Sequence, residues 1–413
     1  MERWKFILLR LMRQAWLRSA IYGLAGIAAA LLAARLQPYI SEDVAVRVGA
    51  DSVGNILGVM ASSMLAVTTF SLTTMVAALT SASNSGTPRA TTLLTQDSTA
   101  QNALATFIGA FLFSIVGIIA LSTGIYGARG RLVLLIATVL VICVVVVTLL
   151  RWIHHLASFG RVGQTVDRVE EAASDSLRRW CRSPFQGAAR RTGPAGPFAL
   201  RAEAIGYLQN VDVPRREDLA RKHGLVIDVN ALPGAFVDPS RPIAFLQGAP
   251  GDEVRGSLCD CFLIGDQRSF EQDPRFGFVV LAEVASRALS SAINDPGTAI
   301  DVIGTGVRLF AVLRERDDGS EVTHEHVRLP PLSIDDMFDD FFAPIARYGA
   351  GTLEVGIRLQ KALASLAALS PELFGTAARR HADHALRRAL AALSDADDRE
   401  RLRRESATAP GGL

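Results

Sequence analysis

Lysine is almost missing from this chain. It occurs only at Lys5, Lys222 and Lys361 among 43 basic residues, and the rest are arginine. Net charge is also small, +2 over 413 residues, which excludes a global electrostatic attraction to nucleic acid. Four cysteines are too few for a disulfide framework in a chain of this length. Cys143 lies in an apolar run; Cys259 and Cys261 alternate and are expected to share one face of a strand, with no further ligands at metal-binding spacing nearby. No Walker A, GxSxG, HExxH or GxGxxG pattern occurs, so no catalytic constellation and no cofactor are expected.

Charge itself is missing from long stretches. None occurs from Ser52 to Pro88, from Ser98 to Ala128, or from Leu132 to Leu150. The mean hydropathy of +0.26 is concentrated in the first 150 residues or so. Four membrane spans are expected: Ser19–Ala34, a helix within Val53–Leu79, Ala103–Ile125 and Leu132–Leu150. The first is short, with Arg18 and Arg35 placed to snorkel and Trp16 and Tyr39 to anchor. The basic tail (Arg3, Lys5, Arg10, Arg13, Arg18) precedes further spans, so it reads as the flank of an uncleaved first span.

The loop after span one mixes Arg35 and Arg47 with Glu42, Asp43 and Asp51, whereas Arg151, Arg161 and Arg168 follow span four. By the positive-inside rule the expected location is the inner (plasma) membrane, multi-pass, with both termini cytoplasmic; Arg129 and Arg131 in the opposite loop pull the other way.

The stretch Thr87–Tyr126 is expected to organise the chain. Thr87 can cap a helix, Pro88 suits its first turn, and no stop signal follows. At about 1.5 Å per residue it would form a rod of about 60 Å, half amphipathic and half in lipid. On it, Arg89, Asp97 and Gln101 are a candidate cytoplasmic mouth or a solvated face.

In span two, Asn55, Ser62, Thr69, Thr73 and Thr80 fall on one stripe flanked by Gly58, Ala66 and Ala77. The stripe reads either as a helix-packing seam or as the lining of a wet path.

Beyond span four, Leu156, Phe159, Val162, Val166, Val169, Ala173, Leu177 and Trp180 recur at helical spacing, which predicts an amphipathic continuation of that span. The run Pro184–Pro197 ends it. Strands are expected at Arg201–Val211, Leu225–Leu232, Ala235–Val237, Pro242–Gln247, Val254–Ile264 and Val322–Leu329. Helices are expected at Pro214–His223, Asp273–Ser291, Pro296–Arg314, Ile334–Tyr348, Leu353–Leu369 and Pro371–Leu393. The expected fold is an α-helical membrane region of four transmembrane helices plus a cytoplasmic α+β domain with a small sheet and C-terminal helices. The expected boundaries are 1–152 for the membrane region, 153–183 for the amphipathic extension, 198–405 for the cytoplasmic domain and 406–413 for a disordered tail.

The sharpest local signal is SSAINDPGTAI. Asn294 can end one helix in a left-handed conformation, and Asp295 can cap the next with Pro296 at its first position. This is a structural corner, or an anion site at the new helix start with Thr298 and with help from Arg287 or Arg268.

Asp335/Asp339 and Asp336/Asp340 lie one turn apart, as a Mg²⁺ or Ca²⁺ site would need and as the helix dipole alone would favour. His381 and His384 share a helix face, His324 and His326 a strand face, and His154 with His155 sits at the membrane boundary.

The pieces SNSGTPRATTLLTQDSTAQNALATFIGAF, WIHHLASFGRVGQTVDRVEEA, GYLQNVD, PGAFVDPSRPIA and QDPRFGFVVLAEVASRALSSAINDPGTAI run in this order from Ser83 to Ile300. On them the chain resembles the bacterial family of predicted membrane proteins named domain of unknown function 2254. Ser291 stands where the family pattern commonly has proline, and Asn84, Ser85 and Gly86 stand where it commonly has Ser-Gln-aromatic. The resemblance implies a four-span membrane region with a cytoplasmic domain and no assigned activity.

The leading functional reading is an oligomeric ion or small-solute channel or transporter with a cytoplasmic regulatory domain. Its expected partners are the lipid bilayer and further copies of the chain, since four spans are few for a pore. The alternative is a membrane-tethered signalling or scaffold protein that binds a cytoplasmic partner; an enzyme ranks third.

Overall fold

The structure, a computed structural model, describes residues 15–35, 50–85, 87–95, 97–123, 128–156, 161–317 and 321–407. The N-terminal basic tail, Tyr39, Glu42, Asp43, Arg47, Gly86, Tyr126 and Phe159 lie outside them, as do the side chains of Trp16, Arg18, Arg35, Asp51 and Arg129. The chain divides into two compact units: Met1–Asn84 with Thr91–Gln164, and Ser85–Ala90 with Thr165–Leu413.

The first unit is helical. It contains α1 (Ala15–Arg35) and α2 (Ala50–Ser85); α3 (Pro88–Thr95) follows, with residues on either side of the division; α4 (Ser98–Ser122) and α5 (Ala128–Leu156) complete it.

Helix α4 is the hub. Ala103, Phe107, Ala110, Phe113, Gly117 and Ala120 are buried along it. Glycines let α1 approach closely: a Cβ on Gly26 would lie 2.5 Å from the Gly109 carbonyl oxygen, and one on Gly109 would lie 2.9 Å from the Tyr22 oxygen. Small residues at such a crossing allow backbone contact where lipid supplies no hydrophobic drive. Helix α2 packs through Val53, Leu57, Met60 and Met64, which alternate by four and three residues and are at most 7% exposed.

The single rod expected over Thr87–Tyr126 is not formed. Its start is as expected, with the Ala90 amide donating to Thr87 Oγ1 at 3.3 Å. But α3 ends at Thr95, and Asp97 caps a new helix, accepting from the Ala100 amide at 2.9 Å. An aspartate that satisfies an orphan helix donor starts a helix better than it continues one.

Among the described residues, four helices are long and apolar enough to cross a membrane: Ser52–Ser81, Ser98–Ser122, Gly130–Leu156 and Pro296–Glu315. The apolar part of α1, Ser19–Ala29, is shorter. Pro296–Glu315 belongs to the second unit, and its apolar side chains are used there in packing.

The second unit begins, after Ser85–Ala90, with the amphipathic α6 (Val162–Arg182), which buries Val166, Val169, Ala173 and Leu177. Next come β1 (Ala188–Arg190), β2 (Phe198–Arg201), β3 (Gly206–Val211), α7 (Val213–His223), β4 (Val226–Val229), β5 (Phe236–Val237) and β6 (Pro242–Gln247). Then follow α8 (Asp252–Cys259), β7 (Phe262–Gly265), α9 (Phe276–Ala288), α10 (Pro296–Val312) and β8 (His324–Leu329). Helices α11 (Ile334–Tyr348), α12 (Leu353–Leu369), α13 (Pro371–Ala392) and α14 (Ala396–Ala407) end the described chain.

The strands make a five-stranded mixed sheet, β1-β8-β4-β6-β2, and a three-stranded antiparallel sheet, β5-β3-β7. In the helical half, Phe278, Phe310, Phe338, Phe341, Phe342 and Phe374 form one buried aromatic cluster with ring centroids 4.4–6.1 Å apart.

Three expectations are corrected in this unit. Arg201–Val211 is two strands in different sheets, β2 and β3. Val254–Ile264 is mostly α8, whose first turn carries Asp252 and Glu253 as the dipole favours. Cys259 therefore closes a helix and does not share a strand face with Cys261. Order also extends past the expected start of the tail: Ser406 lies in α14, and its Oγ donates to Gln360 Oε1 at 3.1 Å. Residues 408–413 are outside the described chain.

The α1–α4 crossing gives a direct test. Gly26→Val and Gly109→Val should each destabilise the detergent-solubilised protein by about 1–3 kcal/mol through overpacking. Gly54→Ala, whose Cβ meets nothing within 4 Å, should not. Melting temperatures of the three variants check this.

Candidate functional site

In α2 the face opposite the packed seam carries the polar stripe. Asn55, Ser62, Thr69 and Thr73 are all exposed on the single chain. The hydroxyls donate to their own helix: Ser62 Oγ to Gly58 O at 3.1 Å, Thr69 Oγ1 to Leu65 O and Thr73 Oγ1 to Thr69 O, both at 3.0 Å. Among the described residues the stripe is thus not used in packing.

A second polar cluster lies at one end of the helical unit. Asp97, 3% exposed, is held by the Ala100 amide, and its Oδ1 is 3.3 Å from His155 Nε2 near the end of α5. Gln101, also 3% exposed, is one turn further along α4. Trp152, buried and 5.8 Å from the His155 ring, donates through Nε1 to Ser71 Oγ of α2 at 2.9 Å.

Three helices are therefore linked by polar contacts at this level. Two members of the expected mouth, Asp97 and Gln101, sit here. Arg89 belongs to the second unit, where it pairs with Glu283 of α9. The part played by Ser71 and Trp152 was missed; its only trace in the sequence is Trp152 three residues before His155, on one helix face.

In the second unit the charged residues pair with one another. Arg268 makes a two-point contact with the buried Asp273 at 2.7 and 3.0 Å, so it is committed there and not to the Asp295 corner. Burial raises the Asp273 carboxyl and the arginine opposes it. Gly234, at φ +95°, lies against that carboxylate; a Cβ would meet it at 2.3 Å. Burial likewise raises the Glu283 carboxyl against the pull of Arg89.

The aspartates of α11 face arginines. Arg275 bridges Asp336 and Asp340 at 2.7 and 2.8 Å; Arg380 lies 3.4 Å from Asp335 and 3.3 Å from Asp339. His381 Nε2 is 3.0 Å from Asp339, and its burial lowers the imidazole. His384, one turn on, is exposed. His326 Nδ1 lies 2.7 Å from Glu217. Among the described residues no cluster of three His, Cys, Asp or Glu suits a metal.

The corner has the expected geometry. Asn294 has φ +51°, and Asp295 accepts from the Thr298 amide at 3.1 Å and from its hydroxyl at 2.6 Å. Those hydrogen bonds, the hydroxyl's first, hold the Asp295 carboxyl below the usual carboxylate range. Arg287 uses its backbone oxygen to accept from Ser290 Oγ at 2.7 Å.

The family described as "Predicted membrane protein (DUF2254)" matches residues 12–365. The chain belongs to that family. It is similar to uncharacterized proteins of Mycobacterium bovis and Mycobacterium tuberculosis, each 27% identical over 226 residues, which are 50% of this chain and 42% of theirs. The match thus spans less than half the length of these curated relatives. No solved structure matches.

Asp295→Ala should cost about 1 kcal/mol through the lost cap. Because the folded carboxyl is depressed, its contribution is full at neutral pH and disappears as pH falls through the depressed range. The difference in melting temperature between wild type and Asp295→Ala should accordingly shrink on acidification from about pH 7 to about pH 3. Loss of a partner-binding or transport readout without loss of stability would instead mark the corner as a binding site.

Proposed function

We propose that this membrane protein assembles from several copies, and that the polar face of α2 lines a path for ions or small polar solutes under control of the α+β unit. The observation that carries the reading is the arrangement of α2. One face is committed to the chain's own core, and the opposite face presents Asn55, Ser62, Thr69 and Thr73 outward. Among the described residues of one chain nothing encloses a path there, which supports a role for neighbouring copies.

In this reading α1, α2, α4 and α5 span the inner membrane. The N-terminal tail and the second unit are cytoplasmic, which fits the arginines after α5. Ser85–Ala90 and Thr165–Leu413 belong to one unit, which supports an even number of crossings in the chain between them. An α4–α5 hairpin meets that requirement, and the approach of Asp97 to His155 supports such a hairpin.

Single cysteines test it in a background with Cys143, Cys181, Cys259 and Cys261 replaced. Cysteines at 55, 62, 69 and 73 should react with a membrane-impermeant thiol reagent in lipid vesicles; cysteines at the buried Leu57 and Met64 should not. Purified protein should also pass ions in a vesicle flux assay. Unreactive stripe cysteines in a folded protein, with Thr69→Leu dissociating the assembly, would make the stripe a dry seam and favour the membrane-tethered scaffold.

A further inference from the structure

Helix α14 is lightly attached to the helical half of the second unit. Of its 12 residues, Leu402 and Ser406 are buried. Leu402 enters a notch between α12 and α13 that a glycine keeps open: a Cβ on Gly356 would stand 3.3 Å from Leu402 Cδ1 and 3.8 Å from Ala389 Cβ. Gln360, buried on α12, donates through Nε2 to the Ala382 oxygen of α13 at 3.0 Å. That bond fixes which end of the amide turns to α14, so Oε1 is the end that accepts from Ser406 Oγ. At the rim Lys361 Nζ lies 2.8 Å from Glu405 Oε2. The groove therefore reads an apolar side chain, a carboxylate and a small hydroxyl at positions i, i+3 and i+4 of a helix.

The helix carries its own start with it. Asp395 Oδ1 accepts from the Asp397 and Asp398 amides at 2.8 and 3.2 Å, so the first turn is capped from within the segment. Residues 393–395 link it to α13; Leu393 stays packed, while Ser394 and Asp395 are exposed. A helix this short is marginal alone in water, and a lightly packed terminal helix opens without the core. A matching occupant is already at hand. Every copy of the chain presents the same groove together with the same Leu402, Glu405 and Ser406.

We propose that the α12–α13 groove is a docking site for α14 in trans: α14 of one copy leaves its own groove and seats in that of a second copy. The exchange replaces each groove contact by an identical one, so only the link at Ser394 and Asp395 changes conformation. Copies held in one membrane meet at high effective concentration, which favours it. The exchange shares with the reading above the need for more than one copy and nothing else.

Two measurements on the full chain test it. In hydrogen–deuterium exchange, peptides of α14 should exchange about a hundredfold faster than those of α12 and α13. Equal protection of the three helices overturns the proposal. For the second, two differently tagged chains are co-expressed with Cys143, Cys181, Cys259 and Cys261 replaced; one carries Lys361→Cys and the other Glu405→Cys. A short bismaleimide applied to the membranes should give a product bearing both tags, since the two thiols lie on different chains. Adding Leu402→Asp to the Glu405→Cys chain should abolish that product; where Leu402→Asp does not fold, Leu402→Ala should reduce it. Absence of the mixed product, in folded chains that cross-link when both cysteines are on one chain, overturns the exchange. So does a mixed product that Leu402→Asp or Leu402→Ala leaves undiminished, which marks chance collision. A protein that passes ions yet yields no mixed product keeps the path and loses the exchange, so the two failures are read separately.

Discussion

At the crossing of α1 and α4 the backbone of Gly26 lies so near the Gly109 carbonyl that a Cβ would come within 2.5 Å of it. The rest of the helical unit is arranged around that approach. Helices surrounded by lipid gain little from apolar burial against one another, so contact area and backbone proximity decide which faces meet. With α1 seated on its glycine face, α4 offers Phe107, Phe113 and Gly117 to the other helices; a Cβ on Gly117 would stand 3.0 Å from Leu57 of α2. The Val53–Leu57–Met60–Met64 edge of α2 is thereby turned inward. The hydroxyl stripe is left facing out as a geometric consequence, half a helical turn away.

The second unit shows the opposite economy of charge. Its arginines are spent on neighbouring carboxylates: Arg268 on Asp273, Arg275 on Asp336 and Asp340, Arg308 on Glu170, Arg380 on Asp335 and Asp339. Planar guanidinium groups suit such two-point contacts, which gives the arginine-rich composition a structural use. The same pairing occupies the carboxylates of the IDDMFDD segment. Four acidic side chains at a helix start look available in one dimension, but Arg275 and Arg380 reach them from 61 and 41 residues away.

What could be read from sequence follows the range of the forces involved. Pro296 with Asp295, Gly224 after α7 and Ser333 before α11 are local signals, and each does locally what its chemistry predicts. The break at Asp97 was local too, yet it was outweighed by the absence of proline or glycine. A capping aspartate in a polar stretch stops one helix as effectively as a breaker does. Strand against helix at Val254–Ile264 turned on period: Val254 and Leu258 are four apart, and the alternation of Cys259 with Cys261 masked that spacing. The pairs Arg89–Glu283 and Trp152–Ser71 are 194 and 81 residues apart and carry no one-dimensional signal.

Exposure of the α2 hydroxyls does not by itself make their face aqueous. A serine or threonine that donates to the carbonyl four residues back has satisfied its only proton, so Thr69 and Thr73 can face lipid at small cost. Asn55 is different in kind. Its amide has two donor protons and an acceptor, more than one helical turn can satisfy, so it needs water or a polar neighbour. Asn55 sits three residues inside the apolar run that begins at Ser52, where headgroups could supply that need. The decisive positions are therefore the mid-helix ones. At Thr69 and Thr73 the hydroxyl chemistry is indifferent, and only the medium outside the helix separates lipid, a second copy and a water-filled path.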